Sequence, residues 1–179
     1  MTAMTTPRLI CSQIRAVDWP FFLALQQDAE VMRYVSDPRS EEEIRAAFDA
    51  RLPDWAPGAA HWLCLTVRER RSGLPLGVTG YVHREADCAE AGFLFSRDAQ
   101  GKGYGGESLQ ALCRYGFGEG GLRRMTATVT AGNAASRRVL EKSGFRLEGE
   151  LRESYRLAGV WRNDWLFGLL SHEFEQVPR

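Results

Sequence analysis

The sequence predicts a mixed α/β fold, in which helices flank one mostly antiparallel sheet of six to seven strands. Three alternating apolar segments follow one another at hairpin spacing, over residues 61–69, 76–84 and 89–96, which is typical of antiparallel strands. A helical segment from Gly101 to about Gly118 then precedes a further alternating segment, Met125–Thr130. A crossover through this helix would lay the strands on either side of it parallel.

The first third of the chain supplies one strand and two helices. Arg8–Ile14 alternates weakly and predicts the first strand. Asp18 is the predicted N-cap of a helix that runs to about Ala29. Ser40, followed by three glutamates, predicts a second helix to roughly Leu52. The chain then breaks at Pro53, Pro57 and Gly58.

The last third predicts one helix and two strands. Asn133 is the predicted N-cap of a helix over Ala134–Ser143, and Gly144 ends it. Strands near Phe145–Glu150 and Trp161–Leu170 complete the sheet.

Length and composition predict a single domain over residues 1–179. Hydrophobic residues make up 44% of the chain, which is enough for a substantial core. Lys plus Arg and Asp plus Glu both number 23, so no net charge attracts nucleic acid or an anionic membrane. The N-terminus lacks the basic and apolar segments of a secretory signal, and no apolar stretch is long enough to cross a bilayer. We therefore expect a cytoplasmic protein.

Cysteine and histidine residues are scattered along the chain. None of the four cysteines forms a C-x-x-C pair, and the three histidines stand alone. This spacing predicts no metal site and no disulfide framework.

A glycine-rich segment, Gln100–Gly106, stands directly before a helical stretch. Free backbone N–H groups and the helix dipole at such a position favour an anion such as a phosphate. The glycines at 101, 103 and 106 also fit the G-x-G-x-x-G pattern of dinucleotide sites. However, polar residues precede them and no carboxylate follows the next strand, which argues against that class. A tight turn that binds nothing is the structural alternative.

Gln100-x-x-Gly103-x-Gly105 resembles the acyl-CoA pyrophosphate loop of the GNAT acyltransferase superfamily. The segment from residue 121 to residue 149 is similar to the second half of its RimJ/RimL-like branch, and the resemblance extends from Arg8 to Asp164. It implies an N-acetyltransferase that uses acetyl-CoA, with a sheet that splays between the fourth and fifth strands to admit the pantetheine arm. The loop and the resemblance together predict these cofactor-binding residues: Leu94, Phe95, Ser96, Gln100, Gly101, Lys102, Gly103, Tyr104, Gly105, Asn133 and Ser136.

Direct acetyl transfer needs a neutral amine and a proton source for the departing thiolate. GNAT enzymes often use a carboxylate on the fourth strand as the base, and Glu90 shares a strand face with Gly92 and Leu94. A solvated strand-edge residue is the alternative for Glu90. Many members carry a tyrosine acid at the position of Leu140, so the predicted proton donor moves to Ser136, which could equally be an ordinary capping residue.

The acceptor class follows from the cost of neutralising an amine. An α-amino group with a pKa near 8 costs about 1 kcal/mol to deprotonate at pH 7, and a lysine side chain costs roughly 4 to 5 kcal/mol. A weak base such as Glu90 therefore suits a protein N-terminal α-amine, while a polyamine or an aminoglycoside stays open. In the RimJ/RimL-like branch Glu153 and Tyr155 border the acceptor, and Glu153 is a second candidate base.

Two rival interpretations remain at this point. The chain could be a CoA-binding module without catalysis, because Leu140 replaces the usual tyrosine, or an NAD-linked oxidoreductase, because of its glycine pattern. Dimers are common in the superfamily, so the resemblance admits a homodimer, but the sequence does not set the oligomeric state.

Overall fold

The computed structural model describes residues 3–174, which form one eight-stranded sheet with helices on both faces. The strands are β1 Ala3–Thr5, β2 Leu9–Gln13, β3 Leu63–Glu69, β4 Pro75–Glu85, β5 Cys88–Phe95, β6 Arg124–Thr130, β7 Arg146–Leu157 and β8 Val160–Leu170. The α-helices are α1 Trp19–Gln27, α2 Ala29–Met32, α3 Glu41–Asp49, α4 Tyr104–Phe117, α5 Ala134–Lys142 and α6 Ser171–Phe174. Within residues 3–174, no helix is both long and apolar enough to span a membrane.

The strand order is β1-β2-β3-β4-β5-β6-β8-β7, and every neighbouring pair is antiparallel except β5 and β6. The predicted mixed, mostly antiparallel fold class is confirmed. The predicted count of six to seven strands misses β1, whose three residues are too few to show a periodic pattern.

Hydrophobic side chains fill both faces of the sheet. On one face, α1 and α3 contribute Phe22, Ile44 and Phe48 to a cluster that includes Val78 of β4. On the opposite face, α4 packs against a larger cluster that includes Tyr81 of the same strand. Residues separated by an odd number of positions point to opposite faces of a strand, which is why one strand serves both clusters.

The predicted capping box at the start of α3 is present. The Ser40 hydroxyl accepts the Glu43 N–H at 3.2 Å, and the Glu43 carboxylate accepts the Ser40 N–H at 2.8 Å. These two bonds satisfy N–H groups that have no partner inside the helix.

Asp18 is the N-cap residue of α1, as predicted, but its side chain does not cap the helix. Its buried carboxylate accepts instead from the Arg15 N–H, the Thr66 hydroxyl and Arg68. The helix also ends at Gln27, because Asp28 caps the separate helix α2. Long-range partners on β3 compete for the Asp18 side chain, and no local pattern reveals them.

The C-terminal strands form a hairpin that is longer than predicted. β7 continues past residue 150 to Leu157, with register shifts that accompany a positive φ of 49° at Glu153. The hairpin is tied to the segment after α2, because the Tyr155 hydroxyl donates to the Val35 carbonyl at 2.8 Å and the Ala158 N–H donates to Asp37 at 2.7 Å. It thereby forms one wall beside the centre of the sheet.

The sheet opens between β5 and β6. These strands pair only from Cys88 with Arg124 to Glu90 with Thr126. Beyond Glu90, β5 continues to Phe95 along β4 alone, and β6 continues to Thr130 along β8. The two parallel strands therefore diverge, and Glu90 stands in the last pair before the gap.

Candidate active site

A continuous cleft follows the opening between β5 and β6. One part, the inner cavity, has a volume of about 520 Å³ and lies along residues 90–94 of β5 and 127–130 of β6. The other part, the loop cavity, has a volume of about 510 Å³ and is lined by the glycine-rich segment and by α5. The two cavities are contiguous, because they share the lining residues Tyr34, Val35, Phe93, Leu94, Asn133 and Ser136.

The glycine-rich segment forms the turn into α4. Gly101 and Gly103 have positive φ angles of 73° and 82°, and Gly103 is the N-cap of α4. The first helical bond runs from the Glu107 N–H to the Gly103 carbonyl at 3.1 Å. The N–H groups of residues 104–106 precede that bond and lie at the positive end of the helix dipole. Such an arrangement favours an anion, and it lies on the loop cavity.

A clamp formed by Arg8 and Glu107 holds this segment. Glu107 accepts from the Thr6 hydroxyl at 2.5 Å, from the Arg8 N–H at 3.0 Å and from Arg8 Nε at 2.6 Å. Arg8 Nη1 also donates to the Lys102 carbonyl at 2.9 Å. Partial burial raises the pKa of Glu107, but the bonds from Thr6 and Arg8 outweigh it and hold the pKa below its ordinary value. The sequence offered no signal for this clamp, because its two main residues are 99 positions apart.

Basic side chains line the loop cavity beyond the glycines. Arg33 follows α2, while Arg138 and Lys142 project from α5, and Glu30 is the carboxylate among the lining residues. Sequence reasoning missed these three cations. It predicted Lys102 instead, which does not line either cavity among the described residues.

Glu90 occupies the vertex of the splay. Its side chain lines the inner cavity, is 25% exposed and accepts from Arg84 Nε at 2.8 Å. It lies on the same strand face as Gly92 and Leu94, since residues two apart point to one side. Glu153, the second candidate base, does not line either cavity within the described part of the chain.

Asn133 and Ser136 lie where the two cavities meet. Asn133 caps α5, because its Oδ1 accepts the Ser136 N–H at 3.2 Å. The cap uses the backbone N–H of Ser136 and not its hydroxyl. Ser136 lines both cavities, so its hydroxyl is free to contact a molecule bound there. Leu140 is fully buried on the inner side, and Tyr34 also lines both cavities. Sequence reasoning did not assign a role to Tyr34.

The sequence and the fold both match those of a known protein family. The chain matches the family described as an acetyltransferase (GNAT) domain over residues 8–146. The chain belongs to the GNAT family of acetyltransferases. The uncharacterized N-acetyltransferase YnaD of Bacillus subtilis is 28% identical over 173 residues, which cover 96% of this chain and 98% of that protein. A GNAT acetyltransferase structure from Bacillus anthracis has a TM-score of 0.85 at 26% identity and covers 96% of this chain and 100% of its own.

Two further solved structures share the GNAT fold at lower identity. Spermidine N-acetyltransferase from Vibrio cholerae, solved with CoA and spermine, has a TM-score of 0.83 at 18% identity over 95% of this chain and 99% of its own. RimL, a ribosomal L7/L12 α-N-protein acetyltransferase solved with coenzyme A, has a TM-score of 0.82 at 20% identity over 94% of this chain and 98% of its own. The predicted superfamily is therefore confirmed, and the oxidoreductase interpretation is wrong.

The GNAT family uses acetyl-CoA as its acetyl donor, and the residues of the loop cavity fit this cofactor. The N–H groups of residues 104–106 suit a pyrophosphate, and Arg138 and Lys142 suit further phosphate oxygens. Two residues that were predicted to bind the cofactor form hydrogen bonds within the protein. The Gln100 side chain donates to the Phe95 carbonyl at 3.0 Å, and the Ser96 N–H donates to the Leu76 carbonyl at 2.9 Å.

Nine of the eleven predicted cofactor-binding residues line the loop cavity: Leu94, Phe95, Gln100, Gly101, Gly103, Tyr104, Gly105, Asn133 and Ser136. Ser96 and Lys102 line neither cavity within the described residues.

The inner cavity of this GNAT protein carries charges of both signs. Asp164 accepts from the Thr130 hydroxyl at 3.3 Å and the Ser154 hydroxyl at 2.9 Å. Arg39 and Arg51 line the same cavity. Among residues 3–174, no group of three or more His, Cys, Asp or Glu side chains could hold a metal ion.

Proposed function

We propose that this GNAT enzyme transfers an acetyl group from acetyl-CoA to a primary amine by direct attack of the amine on the thioester. The observation that carries the proposal is the continuity of the cleft. A loop with free N–H groups at a helix N-terminus opens into a cavity with a carboxylate at the vertex of the splay. Acetyl-CoA supplies an activated acetyl thioester when bound. The protein must hold this cofactor, orient the amine towards the thioester and deprotonate the amine.

The loop cavity holds the cofactor in this proposal. The helix N-terminus at residues 104–106 binds the pyrophosphate, and the segment Leu94–Phe95 lies beside the pantetheine arm. Residues 91–95 of β5 pair with β4 on one side only, so backbone groups on the other side face the gap. Buried backbone groups need hydrogen-bond partners, and the amides of a pantetheine arm are suitable ones.

Glu90 is the proposed base, acting on the amine through a water molecule. The cavity leaves its Oε1 without a partner among the described residues, while Arg84 bonds Oε2. A carboxylate is a weak base, and it suits an amine whose neutralisation costs about 1 kcal/mol rather than 4 to 5 kcal/mol.

Ser136 is the proposed proton donor to the departing thiolate. Its hydroxyl lies where the cofactor side and the acceptor side of the cleft meet. Leu140 has no proton to give, so the serine and Tyr34 are the hydroxyl groups that line both cavities.

The acceptor is proposed to be a primary amine of low pKa, either a protein N-terminal α-amine or a small molecule. Supporting evidence comes from two fold relatives: the name of one describes an α-N-protein acetyltransferase and that of the other a spermidine acetyltransferase. A CoA-binding protein that lacks catalysis is the rival, favoured by Leu140 at the usual tyrosine position.

The role of Glu90 is tested by Glu90→Gln. We expect kcat/KM at pH 7 to fall by about 10²-fold, the low end of the contribution of a general base. The pH optimum should move upward, because the amine must then lose its proton without help. CoA affinity, measured by titration, should stay unchanged.

The matched control is Glu119→Gln, an exposed carboxylate that lines neither cavity within residues 3–174. An unaltered pH–rate profile in Glu90→Gln would remove Glu90 from the mechanism.

A further inference from the structure

We propose that the acceptor amine also carries an oxyanion, a carboxylate or a phosphate, which Arg39 and Arg51 bind in the inner cavity. This inference rests on the acetyl transfer proposed above. It narrows the acceptor to small amines with a negatively charged group, and it disfavours polyamines.

The two arginines line the inner cavity without a carboxylate partner. Within residues 3–174, neither forms an ion pair. Arg39 donates to the side-chain oxygen of Gln26, and Arg51 donates to the Ala47 carbonyl, both of which are neutral acceptors. Their positive charges therefore stay uncompensated at the cavity wall.

The carboxylates that line the same cavity are engaged elsewhere. Glu90 pairs with Arg84, and Asp164 accepts two hydroxyl groups. The cavity thus contains two separate regions: acidic groups near the splay and an arginine pair beside α1 and α3.

Arg51 stands where an unpaired charge is costly. Its guanidinium is half-buried over the Phe22 ring, with 5.8 Å between Cζ and the ring centroid. Burial lowers the pKa of Arg51, and the neighbouring Arg39 also lowers it, while Cys64 partly opposes the shift. Burial also raises the pKa of the adjacent Cys64 thiol to about 12, so no thiolate neutralises the guanidinium. An oxyanion on the acceptor would neutralise the guanidinium, since guanidinium groups bind carboxylates and phosphates through paired hydrogen bonds.

The floor of the inner cavity runs across three strands, from Cys64 beside Arg51 to Gly92, two residues from Glu90. Cys64 of β3 pairs with Gly80 of β4, and Gly80 pairs with Gly92 of β5, so the three stand in one row across the strands. The two glycines leave this part of the sheet without side chains. Adjacent strands lie about 4.8 Å apart, so the row spans roughly 10 Å.

This span fits an extended small molecule with an amine at one end and an oxyanion at the other. The Trp62 ring lies over the Gly92 end of the row, since a Cβ built at Gly92 would lie 3.5 Å from it. A cavity of about 520 Å³ is within the range of small-molecule sites.

The test uses matched acceptors and the full-length protein. The ω-amino acids from glycine to aminohexanoate are compared with their amides, and phosphoethanolamine is compared with ethanolamine. Thiol release from acetyl-CoA gives kcat/KM for each amine, divided by the fraction of that amine that is neutral at the assay pH, because the two members of a pair differ in amine pKa. Calorimetry gives the binding of each amine to protein saturated with CoA. The variants are Arg39→Gln and Arg39→Lys. Arg45→Gln is the matched control, because Arg45 pairs with Asp49 and does not line the inner cavity within the described residues.

We expect the wild type to prefer the anionic member of a pair by about tenfold or more in kcat/KM, as for a hydrogen bond between charged groups. Arg39→Gln should lose most of this preference, Arg39→Lys should keep part of it, and Arg45→Gln should keep all of it. The pair with the larger preference shows whether the oxyanion is a carboxylate or a phosphate.

Equal kcat/KM for the two members of every pair, or a preference unchanged in Arg39→Gln, would overturn the oxyanion proposal and leave acetyl transfer intact. Absence of thiol release with every amine, together with tighter binding of the anionic members, would refute the proposed transfer and support the arginine subsite.

Discussion

Replacing Gly103 by alanine is expected to destabilise the protein by about 1–2 kcal/mol, whereas the same change at Gly106 should stabilise it. Gly103 has a φ of 82° at the N-cap of α4, and this left-handed conformation costs a residue with a Cβ about 1–2 kcal/mol. The new Cβ would also lie 3.2 Å from Arg8 Nη2 of the clamp. At Gly106, inside α4, nothing lies within 4 Å of a Cβ, and alanine is favoured over glycine in a helix by roughly 0.5–1 kcal/mol.

Thermal unfolding measures the Gly103 and Gly106 variants directly. In a chain of this size, 1 kcal/mol shifts Tm by roughly 2–4 °C. The Gly103 variant should therefore lose about 2–8 °C and the Gly106 variant should gain about 1–4 °C. Saturating CoA should raise the Tm of the Gly103 variant less than that of the wild type, because the strained turn positions the anion-binding N–H groups. Equal Tm changes in the two variants, or full stabilisation by CoA in the Gly103 variant, would refute this reasoning.

Two further predictions concern the clamp and the proton donor. Glu107→Gln should destabilise the protein by about 1 kcal/mol in urea unfolding at pH 7, because it removes a partly exposed charged pair, and should weaken CoA binding measured by titration. Because the folded pKa of Glu107 is lowered, its contribution is present above its unfolded pKa and is lost as the pH falls through the lower folded pKa. The difference from wild type should therefore shrink below about pH 4; a constant difference would contradict the role of the charge. Ser136→Ala should lower kcat by about 10²-fold, the low end of the contribution of a general acid. Tm and CoA affinity should stay constant, because the cap at Asn133 uses the serine backbone N–H. A fall in kcat in Tyr34→Phe and none in Ser136→Ala would assign the proton donor to Tyr34.

The elements with local signals were predictable from the sequence. Alternation marked the central strands, the glycines marked the turn into α4, and the Ser40 and Asn133 caps were readable from residues within three positions. The same alternation placed Glu90 on the strand face that lines the inner cavity.

The features that depend on distant contacts were not predictable. The Arg8–Glu107 clamp joins residues 99 positions apart. Arg39 and Arg51 reach the inner cavity because α1, α3 and the centre of the sheet pack together. Lys102 is adjacent to the anion-binding N–H groups in sequence, yet only the backbone geometry decides which side chains of that turn line the cavity.

We infer that this cleft transfers an acetyl group from acetyl-CoA to a primary amine. The most direct measurement is free thiol release from acetyl-CoA, together with product mass, in a mixed panel of N-terminal peptides, amino acids, polyamines and aminoglycosides. We expect one thiol for each acetylated nitrogen, with turnover concentrated on amines of low pKa. Tight CoA binding without thiol release or acetylated product across the panel would contradict the claim.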